Sequence, residues 1–281
     1  MTVPVPQSQP AGLPHHRGSL GADLRRLGVS TGDVVLVHAS LRRVGFVVGG
    51  AVSVVQALLD VVGPSGTLVA PTFTAGNSDP SRWARTCARP VPPAWWPHIR
   101  DHLPAFDPAV TPSVNMGVIA ETVRTWPGAV RSGHPQTSFA AIGAGAATLM
   151  ATHPPDSHLG PDSPLGAVRD ADAKVLLLGV PFAVCTTFHL AEYRNAGGVR
   201  REYECVVRAD GDRRWYHYQD VVLDDSDFEH CGAAFEAADE GTTIGRGPVG
   251  DADSRLFPMA VAAAFADDWM AVHRQDRCLT G

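Results

Sequence analysis

The chain has 281 residues, of which 44% are hydrophobic and 19% are charged, and its formal net charge is −6. These values predict one large globular domain, or two poorly separated ones, and exclude a disordered chain. The negative charge argues against a nucleic-acid or anionic-membrane partner and leaves room for a cationic one.

The ends of the chain and its cysteines give no sign of secretion or of a metal site. The first 18 residues are rich in proline and lack the basic start and apolar core of a signal peptide. We therefore expect a disordered tail over 1–18, a single domain over 19–281 and a cytoplasmic protein, since no apolar run reaches the roughly 20 residues of a membrane span. No CxxC pair occurs, so neither structural zinc nor a disulfide framework is indicated. The cysteines are Cys87, Cys185, Cys205, Cys231 and Cys278.

Strand-like runs alternate with helix-like runs. Continuous apolar, β-branched stretches predict buried strands, and stretches with a period near 3.6 predict helices. Two runs joined by Asp210-Gly211-Asp212 predict an antiparallel hairpin. The expected fold is therefore α/β, with a mixed central sheet flanked by helices and one antiparallel hairpin. The predicted strands cover 33–39, 66–72, 138–143 and 174–180, and the predicted helices cover 51–62, 116–126, 145–151, 226–238 and 257–274, with a further helix starting near 189.

The stretch from 73 to 112 has eight prolines, three tryptophans and no clear period. An irregular segment of this length inside a domain is more often a lid or a binding loop than a simple connection. We therefore expect it to border a functional site.

His189 and Glu192 are the first candidate site residues. They stand three apart in VCTTFHLAE (184–192), directly after a predicted strand, so a helix would place them on one face. Thr186 and Thr187 are suitable N-caps for that helix. The spacing alone is compatible with a general base and its partner, with metal ligands or with an ordinary helix start. The metal interpretation is weaker, because a zincin needs a second His where Tyr193 stands.

Two stretches of the sequence contain glycine and arginine in patterns that are found in phosphate-binding loops. HASLRRVG (38–45) follows a buried strand and offers a hydroxyl and guanidinium groups, although an ordinary strand–helix loop has the same composition. The stretch 245–250 matches GxGxxG, but it contains a proline and follows no convincing buried strand, so a dinucleotide site is not expected there.

Eight segments in order along the chain resemble the aminoglycoside 3-N-acetyltransferase family. The resemblance includes GDVVLVHASLRRVG, RSGHPQTSFAAIG, KVLLLGV, TTFHLAE and GPVGDADSRLF, and it runs over nearly the whole chain from about Leu20. The eight segments are 32–45, 57–73, 104–108, 117–124, 131–143, 162–168, 174–192 and 247–257.

The resemblance implies acetyl transfer from acetyl-CoA to the 3-amino group of an aminoglycoside, without a metal, in a fold distinct from the GCN5-related acetyltransferase fold. It implies antibiotic resistance, a small polycationic aminosugar as the partner, and a monomer or homodimer. His189 then corresponds to the general base and Glu192 to the residue that orients it. The residues implied to contact CoA or to line the same cleft are His38, Ser40, Leu41, Arg43, His134 and Ser138.

A polycationic acceptor requires carboxylates near the base. Glu121 lies on the family's GxxxE helix, and Asp79 and Asp107 lie in or beside the irregular segment. These three residues are the expected substrate-binding carboxylates.

Three alternatives remain open from the sequence. The same chemistry could act on another amine, such as a biosynthetic aminosugar. A metal-dependent amide hydrolase could use His189, Glu192 and a further histidine. A CoA- or aminosugar-binding protein could have lost catalysis.

Overall fold

The computed structural model of this chain describes residues 12–84, 90–195 and 199–274. Cys87, Cys278 and the first part of the expected N-terminal tail lie outside these residues. The helices are α1 (Arg17–Leu27), α2 (Leu41–Val44), α3 (Gly50–Val62), α4 (Trp96–His102), α5 (Gly117–Arg124), α6 (Ala146–Met150), α7 (Pro164–Asp170), α8 (His189–Asn195), α9 (Phe228–Ala238) and α10 (Met259–His273). The strands are β1 (Val34–Ala39), β2 (Thr67–Pro71), β3 (Val130–Arg131), β4 (Phe139–Gly143), β5 (Lys174–Leu178), β6 (Arg200–Ala209), β7 (Asp212–Val221), β8 (Gly245–Val249) and β9 (Ala252–Pro258).

Seven strands form one mixed sheet in the order β3-β4-β2-β1-β5-β9-β8. β1 is parallel to its neighbours β2 and β5, and the other pairs are antiparallel. Alternate residues of β1 point to opposite faces: Val35 and Val37 pack with α1, α3 and α5, whereas Leu36 packs with helices of the second half of the chain. Both faces are therefore covered, and the predicted α/β fold with a mixed sheet is confirmed.

The N-terminal part is ordered earlier than expected. α1 begins at Arg17, because the His16 ring accepts hydrogen bonds from the backbone N–H groups of Gly18 and Ser19. Preceding it, the His15 backbone pairs with residues 46 and 48. The structure therefore places His15 in backbone contact with the domain and begins α1 inside the stretch 1–18 that was expected to be a tail.

The last part of the sheet is a β-hairpin that the sequence patterns did not predict. β8 pairs with β9 at the sheet edge, so the GxGxxG-like stretch is an edge strand, where Pro248 costs no ladder hydrogen bond toward a further strand. Phe257 and Pro258 complete β9, and the final helix therefore begins at Met259 rather than at 257.

The predicted hairpin around Gly211 is confirmed as β6 and β7, which form their own two-stranded sheet. Asn77 attaches it to the body of the domain: its side chain accepts a hydrogen bond from Val206 N (2.9 Å) and donates one to Val206 O (3.0 Å). Asp79 joins the two described parts of the irregular segment by an ion pair with Arg100. None of the helices in the described ranges is long and apolar enough to cross a membrane.

The chain turns sharply after β5 at Gly179, whose φ of +66° lies in the left-handed region. A Cβ at this position would stand 2.6 Å from Arg43 Cβ and 3.0 Å from Ala252 Cβ. Glycine therefore lets the loop after β1 pack directly on the chain that leaves β5.

We expect Gly179→Ala to destabilise the protein more than Gly211→Ala does. Gly211 also has a positive φ (+86°), but nothing lies within 4 Å of its would-be Cβ, so its substitution reports backbone strain alone, about 1–2 kcal/mol. Gly179→Ala adds a steric clash that costs about 1–3 kcal/mol more. Urea unfolding of both variants measures the difference, and equal losses would contradict the proposed close packing.

Candidate active site

The candidate site lies where β1 and β5 end side by side. The parallel register pairs His38 with Leu177 and Ala39 with Leu178, so the segments that follow both strands meet at one edge of the sheet. A cavity of about 740 Å³ opens there. This location agrees with the expectation that open α/β sheets place their sites at the carboxyl ends of strands. Its wall includes His38, Ser40, Leu41, Arg42, Phe73, Asn115, Val118, Thr137, Thr186, His189, Asp225 and Phe228.

His189 and Glu192 form the predicted pair. His189 is the first residue of α8 and reaches the cavity wall, with Glu192 one turn further and 2% exposed. His189 Nδ1 lies 2.6 Å from Glu192 Oε2. The other carboxylate oxygen, Oε1, accepts from Asp224 N (2.9 Å) and Arg274 Nη1 (2.7 Å). An ionised carboxylate only accepts hydrogen bonds, so the neutral His189 ring carries its proton on Nδ1 and presents an unprotonated Nε2.

Thr186 and Thr187 do not cap α8 as predicted. Thr186–Phe188 forms a 3₁₀ turn that runs directly into the helix, so His189 already has helical backbone angles and no capping side chain is needed before it. The Thr186 hydroxyl lies 3.2 Å from His38 Nε2. The Thr187 hydroxyl is buried and makes no capping hydrogen bond. The turn places Thr186 in the cavity wall instead.

His38 is a neutral companion of His189. It is 5% exposed, and burial, together with repulsion from His189, lowers the pKa of its imidazole to about 4. Within the described ranges, no three His, Cys, Asp or Glu side chains are arranged to hold a metal ion. Cys185 is fully buried and burial raises the pKa of its thiol to about 12, so it is a core residue and not a reactive thiol.

The loop after β1 contributes to the cavity as predicted, with one exception. Ser40, Leu41 and Arg42 line it, but Arg43 does not, because its stem packs against Gly179. Arg42, rather than the Arg43 implied by the resemblance, is therefore the arginine of this loop that lies in the cavity wall.

His134 and Ser138, which were expected to line the cleft, are not part of this cavity wall. Both side chains are fully buried. Ser138 Oγ donates to Thr72 O (3.0 Å) and accepts from Arg131 Nε (3.0 Å), so it fixes the start of β4. Thr137, between them, is the residue of this segment that reaches the cavity.

His134 belongs to a buried polar cluster behind the cavity. Its ring lies 4.6 Å from the rings of both His153 and His158. His158 Nδ1 lies 2.6 Å from Asp220 Oδ2, which also accepts from the Tyr193 hydroxyl (2.6 Å). Because Tyr193 follows Glu192 in α8, this cluster ties the hairpin strand β7 to the helix that carries His189.

The three carboxylates expected to bind substrate are engaged elsewhere. Asp79 is 3% exposed and paired with Arg100, and Asp107 accepts from the backbone of residue 109. Glu121 pairs with Arg124 and Ser113, and these contacts lower the pKa of its carboxyl to about 2 although burial opposes the shift. None of the three is in the cavity wall.

Asp225 is the functional candidate that the sequence analysis missed. It is the one carboxylate in the cavity wall among the described residues, and no residue of the described ranges pairs with its side chain. It is exposed and precedes α9 by three residues. No local motif marks Asp225, because only the tertiary fold brings it into the same cavity wall as His189.

We expect the free energy of unfolding to fall as the pH drops from about 6.5 toward 4. Burial lowers the pKa of His153 to about 3 and that of His134 and His158 below 6.5, so these rings stay neutral in the folded protein while the unfolded chain takes up protons. Their contribution to stability is complete above pH 6.5 and is lost on acidification.

Urea unfolding between pH 7.5 and 4.5 measures this slope. In His153→Gln, the slope should decrease by about 1.4 kcal/mol per pH unit, because one titrating group is gone. His217→Gln, which replaces an exposed histidine of β7, is the control for the histidine-to-glutamine change itself. A stability independent of pH in this range would contradict the neutral buried cluster.

Comparison with known proteins shows the family. A family model described as aminoglycoside 3-N-acetyltransferase matches residues 36–271. The prophage-derived aminoglycoside N(3')-acetyltransferase-like protein YokD of Bacillus subtilis is 40% identical over 258 residues, which cover 92% of this chain and 93% of that protein. Aminoglycoside N(3)-acetyltransferase VII of Streptomyces paromomycinus is 38% identical over 270 residues, covering 92% of each.

Solved structures agree with this assignment. The crystal structure of YokD superposes with a TM-score of 0.89 at 39% identity, over 94% of this chain and 96% of that one. A binary complex of AAC-IIIb with CoASH superposes with a TM-score of 0.78 at 33% identity, over 91% and 96%. AAC-VIa bound to sisomicin superposes with a TM-score of 0.80 at 34% identity, over 94% and 99%. Sequence and structure agree over nearly the whole length, and the chain belongs to the aminoglycoside 3-N-acetyltransferase family.

Proposed function

We propose that this protein transfers the acetyl group of acetyl-CoA to the 3-amino group of an aminoglycoside, with His189 as the general base, and thereby confers resistance. The observation that carries the proposal is the His189–Glu192 pair, joined at 2.6 Å at the wall of a cavity of about 740 Å³. Membership of the family supports the reaction class.

His189 Nε2 is the atom that accepts the proton. An ammonium nitrogen has no lone pair and cannot attack a thioester, so the neutral form of the amine reacts, and its nitrogen loses one proton to His189 as it bonds to the acetyl carbon. His189 takes that proton while Glu192 stabilises the resulting imidazolium through Nδ1–H. When the carbon–sulfur bond breaks, the imidazolium returns the proton to the leaving thiolate, so the products are the amide and CoASH.

The loop after β1 is the proposed CoA-contacting wall. A structural neighbour contains CoASH, and in this chain Ser40, Leu41 and Arg42 combine hydroxyl, apolar and guanidinium groups at the cavity. A guanidinium suits a phosphate, and apolar walls suit an extended pantetheine arm. We include His38 in this contact set.

The Thr186 hydroxyl is the proposed donor to the carbonyl oxygen, which becomes negative as the amine attacks. It lines the same cavity as His189 and is held by the neutral His38 ring. A fixed donor in a partly dry cavity stabilises a developing oxyanion more strongly than water does.

Asp225 is the proposed anchor for the cationic acceptor. Aminosugar antibiotics carry several ammonium groups, and Asp225 is the carboxylate of the cavity wall whose charge is not already used by a described residue. The engaged residues Asp79, Asp107 and Glu121 then shape the surrounding segments rather than contacting substrate.

We expect His189→Ala to lower kcat by about 10²–10⁴-fold, because the variant has no positioned base. The assay follows release of the CoA thiol from acetyl-CoA with a panel of aminoglycosides that includes sisomicin. His217→Ala, which removes an exposed histidine of β7, is the matched control and should retain wild-type kcat.

Two outcomes would overturn the proposed function. If wild-type protein releases no CoA with any aminoglycoside, the substrate class is wrong. If activity on amide substrates appears instead and is abolished by a chelator, the metal-dependent hydrolase is the better description. Near-normal kcat in His189→Ala would remove only the assigned base.

We expect Asp225→Asn to raise the KM for the aminoglycoside about tenfold, since losing one charge-assisted contact to an ammonium group costs about 1.5 kcal/mol. The KM for acetyl-CoA should not change, and the effect should shrink at high salt because exposed charges are screened. Initial-rate kinetics at two ionic strengths measure both parameters.

The control for this variant is Asp268→Asn. Asp268 is exposed on α10, is absent from the cavity wall and loses the same unit of charge on substitution. An equal rise in KM for both variants would show that net charge alone attracts the substrate and would remove Asp225 as an anchor.

A further inference from the structure

Arg274, the residue directly after α10, has a guanidinium group that is fully engaged. Its side chain is 12% exposed. Nη1 donates to Glu192 Oε1 (2.7 Å), Nη2 donates to the Asp224 carbonyl (2.7 Å), and Nε donates to Asp227 Oδ2 (2.9 Å). The two carboxylates raise the pKa of Arg274, so it is charged at every relevant pH.

Arg274 touches both groups that hold the His189 ring. One is Glu192, which binds His189 Nδ1 through its other oxygen. The second is Phe228, whose ring meets the imidazole edge to face at 4.7 Å and lies 5.9 Å from the Arg274 guanidinium carbon. The same guanidinium also fixes the backbone at Asp224, next to the cavity residue Asp225.

We infer that Arg274 is a positioning residue for the general base: it holds Glu192 so that one oxygen faces His189, and it locks the segment before α9 against the ring. This inference rests on the proposed function, because it concerns the same base. Three chain segments that are distant in sequence, around residues 192, 226 and 274, meet at this one side chain.

The positive charge of Arg274 also sets how strongly Glu192 favours imidazolium. With Arg274 present, the buried carboxylate is neutralised by a permanent cation, and its hold on a proton at His189 is limited. Without Arg274, the uncompensated carboxylate stabilises the imidazolium, and the base is protonated up to a higher pH.

In the part of the chain that the structure describes, the other groups around the ring form no ion pair with Glu192. His38 on β1 and His158 before α7 face His189, but burial lowers the pKa of both, so they are neutral. Among the described residues, the charged groups on the facing segments are the acids Asp224, Asp225 and Asp227, and Arg42 lies in the same cavity wall. Among the described residues, Arg274 is the one cation that pairs with Glu192.

The decisive experiment compares the pH profiles of kcat for Arg274→Gln, Arg274→Lys and wild type. In Arg274→Gln we expect kcat to fall by about 10–100-fold, as for other groups that orient a functional histidine through its second nitrogen. The acidic limb of the profile should move to higher pH. Arg274→Lys keeps the positive charge but loses the guanidinium group that contacts Glu192 and Asp227 together. We therefore expect kcat to fall severalfold while the acidic limb of the pH profile stays at its wild-type pH. The KM for acetyl-CoA should be unchanged in both.

Asp227→Asn separates positioning from general stability. It breaks the other ion pair of Arg274 but leaves the contact with Glu192. If Arg274 only holds the fold together, Asp227→Asn and Arg274→Gln will have the same thermal stability and the same pH profile, and the inference is wrong. If Arg274→Gln does not fold, Arg274→Lys decides: wild-type kcat in that variant also overturns the inference.

A measurement without substrate keeps this test independent of the proposed function. Nitrogen-15 NMR of the histidine rings reports which ring nitrogen of His189 is protonated across pH. We expect the wild-type ring to carry its proton on Nδ1 and the Arg274→Gln ring to become doubly protonated at a higher pH. Unchanged titration in a folded Arg274→Gln variant would refute the role of Arg274 even if the acceptor proves not to be an aminoglycoside.

Discussion

The parallel pairing of β1 with β5 is the constraint on which the site depends. Because both strands run in the same direction and His38 is in register with Leu177, the segments that leave them emerge at one edge of the sheet. One segment carries the polar loop 38–44 and the other carries His189. Gly179 lets the two approach closely, since any larger residue would meet Arg43. Neither segment could form the cavity alone.

The surroundings of the titratable groups in this protein divide them into buried groups and groups at the cavity wall. Burial lowers the pKa of His38, His134 and His153, so these rings are neutral donors and acceptors of hydrogen bonds. His189 instead lies at the cavity wall and contacts the Glu192 carboxylate through Nδ1. The acids divide in the same way: Asp79 and Glu121 pair with arginines, whereas Asp225 lines the cavity. Residue type alone does not distinguish these roles, but burial and partners do.

Short sequence patterns predicted the structural features that depend on neighbouring residues, namely the buried strands and the contact between His189 and Glu192. The apolar runs identified β1, β2, β4 and β5, and the three-residue spacing brought His189 and Glu192 together as expected. Thr186 and Thr187 are not N-caps, because a 3₁₀ turn over Thr186–Phe188 leads directly into α8. A short sequence pattern does not distinguish such a turn from a capped helix start. Arg274 could not be found at all: its partner Glu192 lies 82 residues away, and contacts at such separation are set by the packing of α8 on α10. His134 and Ser138 are absent from the cavity wall for a related reason. Their segment meets the cavity through Thr137, which lies between them in the sequence.

The separate sheet formed by β6 and β7 has a consequence for how relatives can diverge. Its inner half is bound to the body through Asn77, Asp220 and Tyr193, while the turn at Asp210 and Gly211 projects with nothing packed beneath the glycine. Residues added in pairs at that turn would keep the side-chain alternation of both strands and leave the buried cluster untouched. A change in the length of this arm would therefore leave the positions of His189 and Glu192 unchanged.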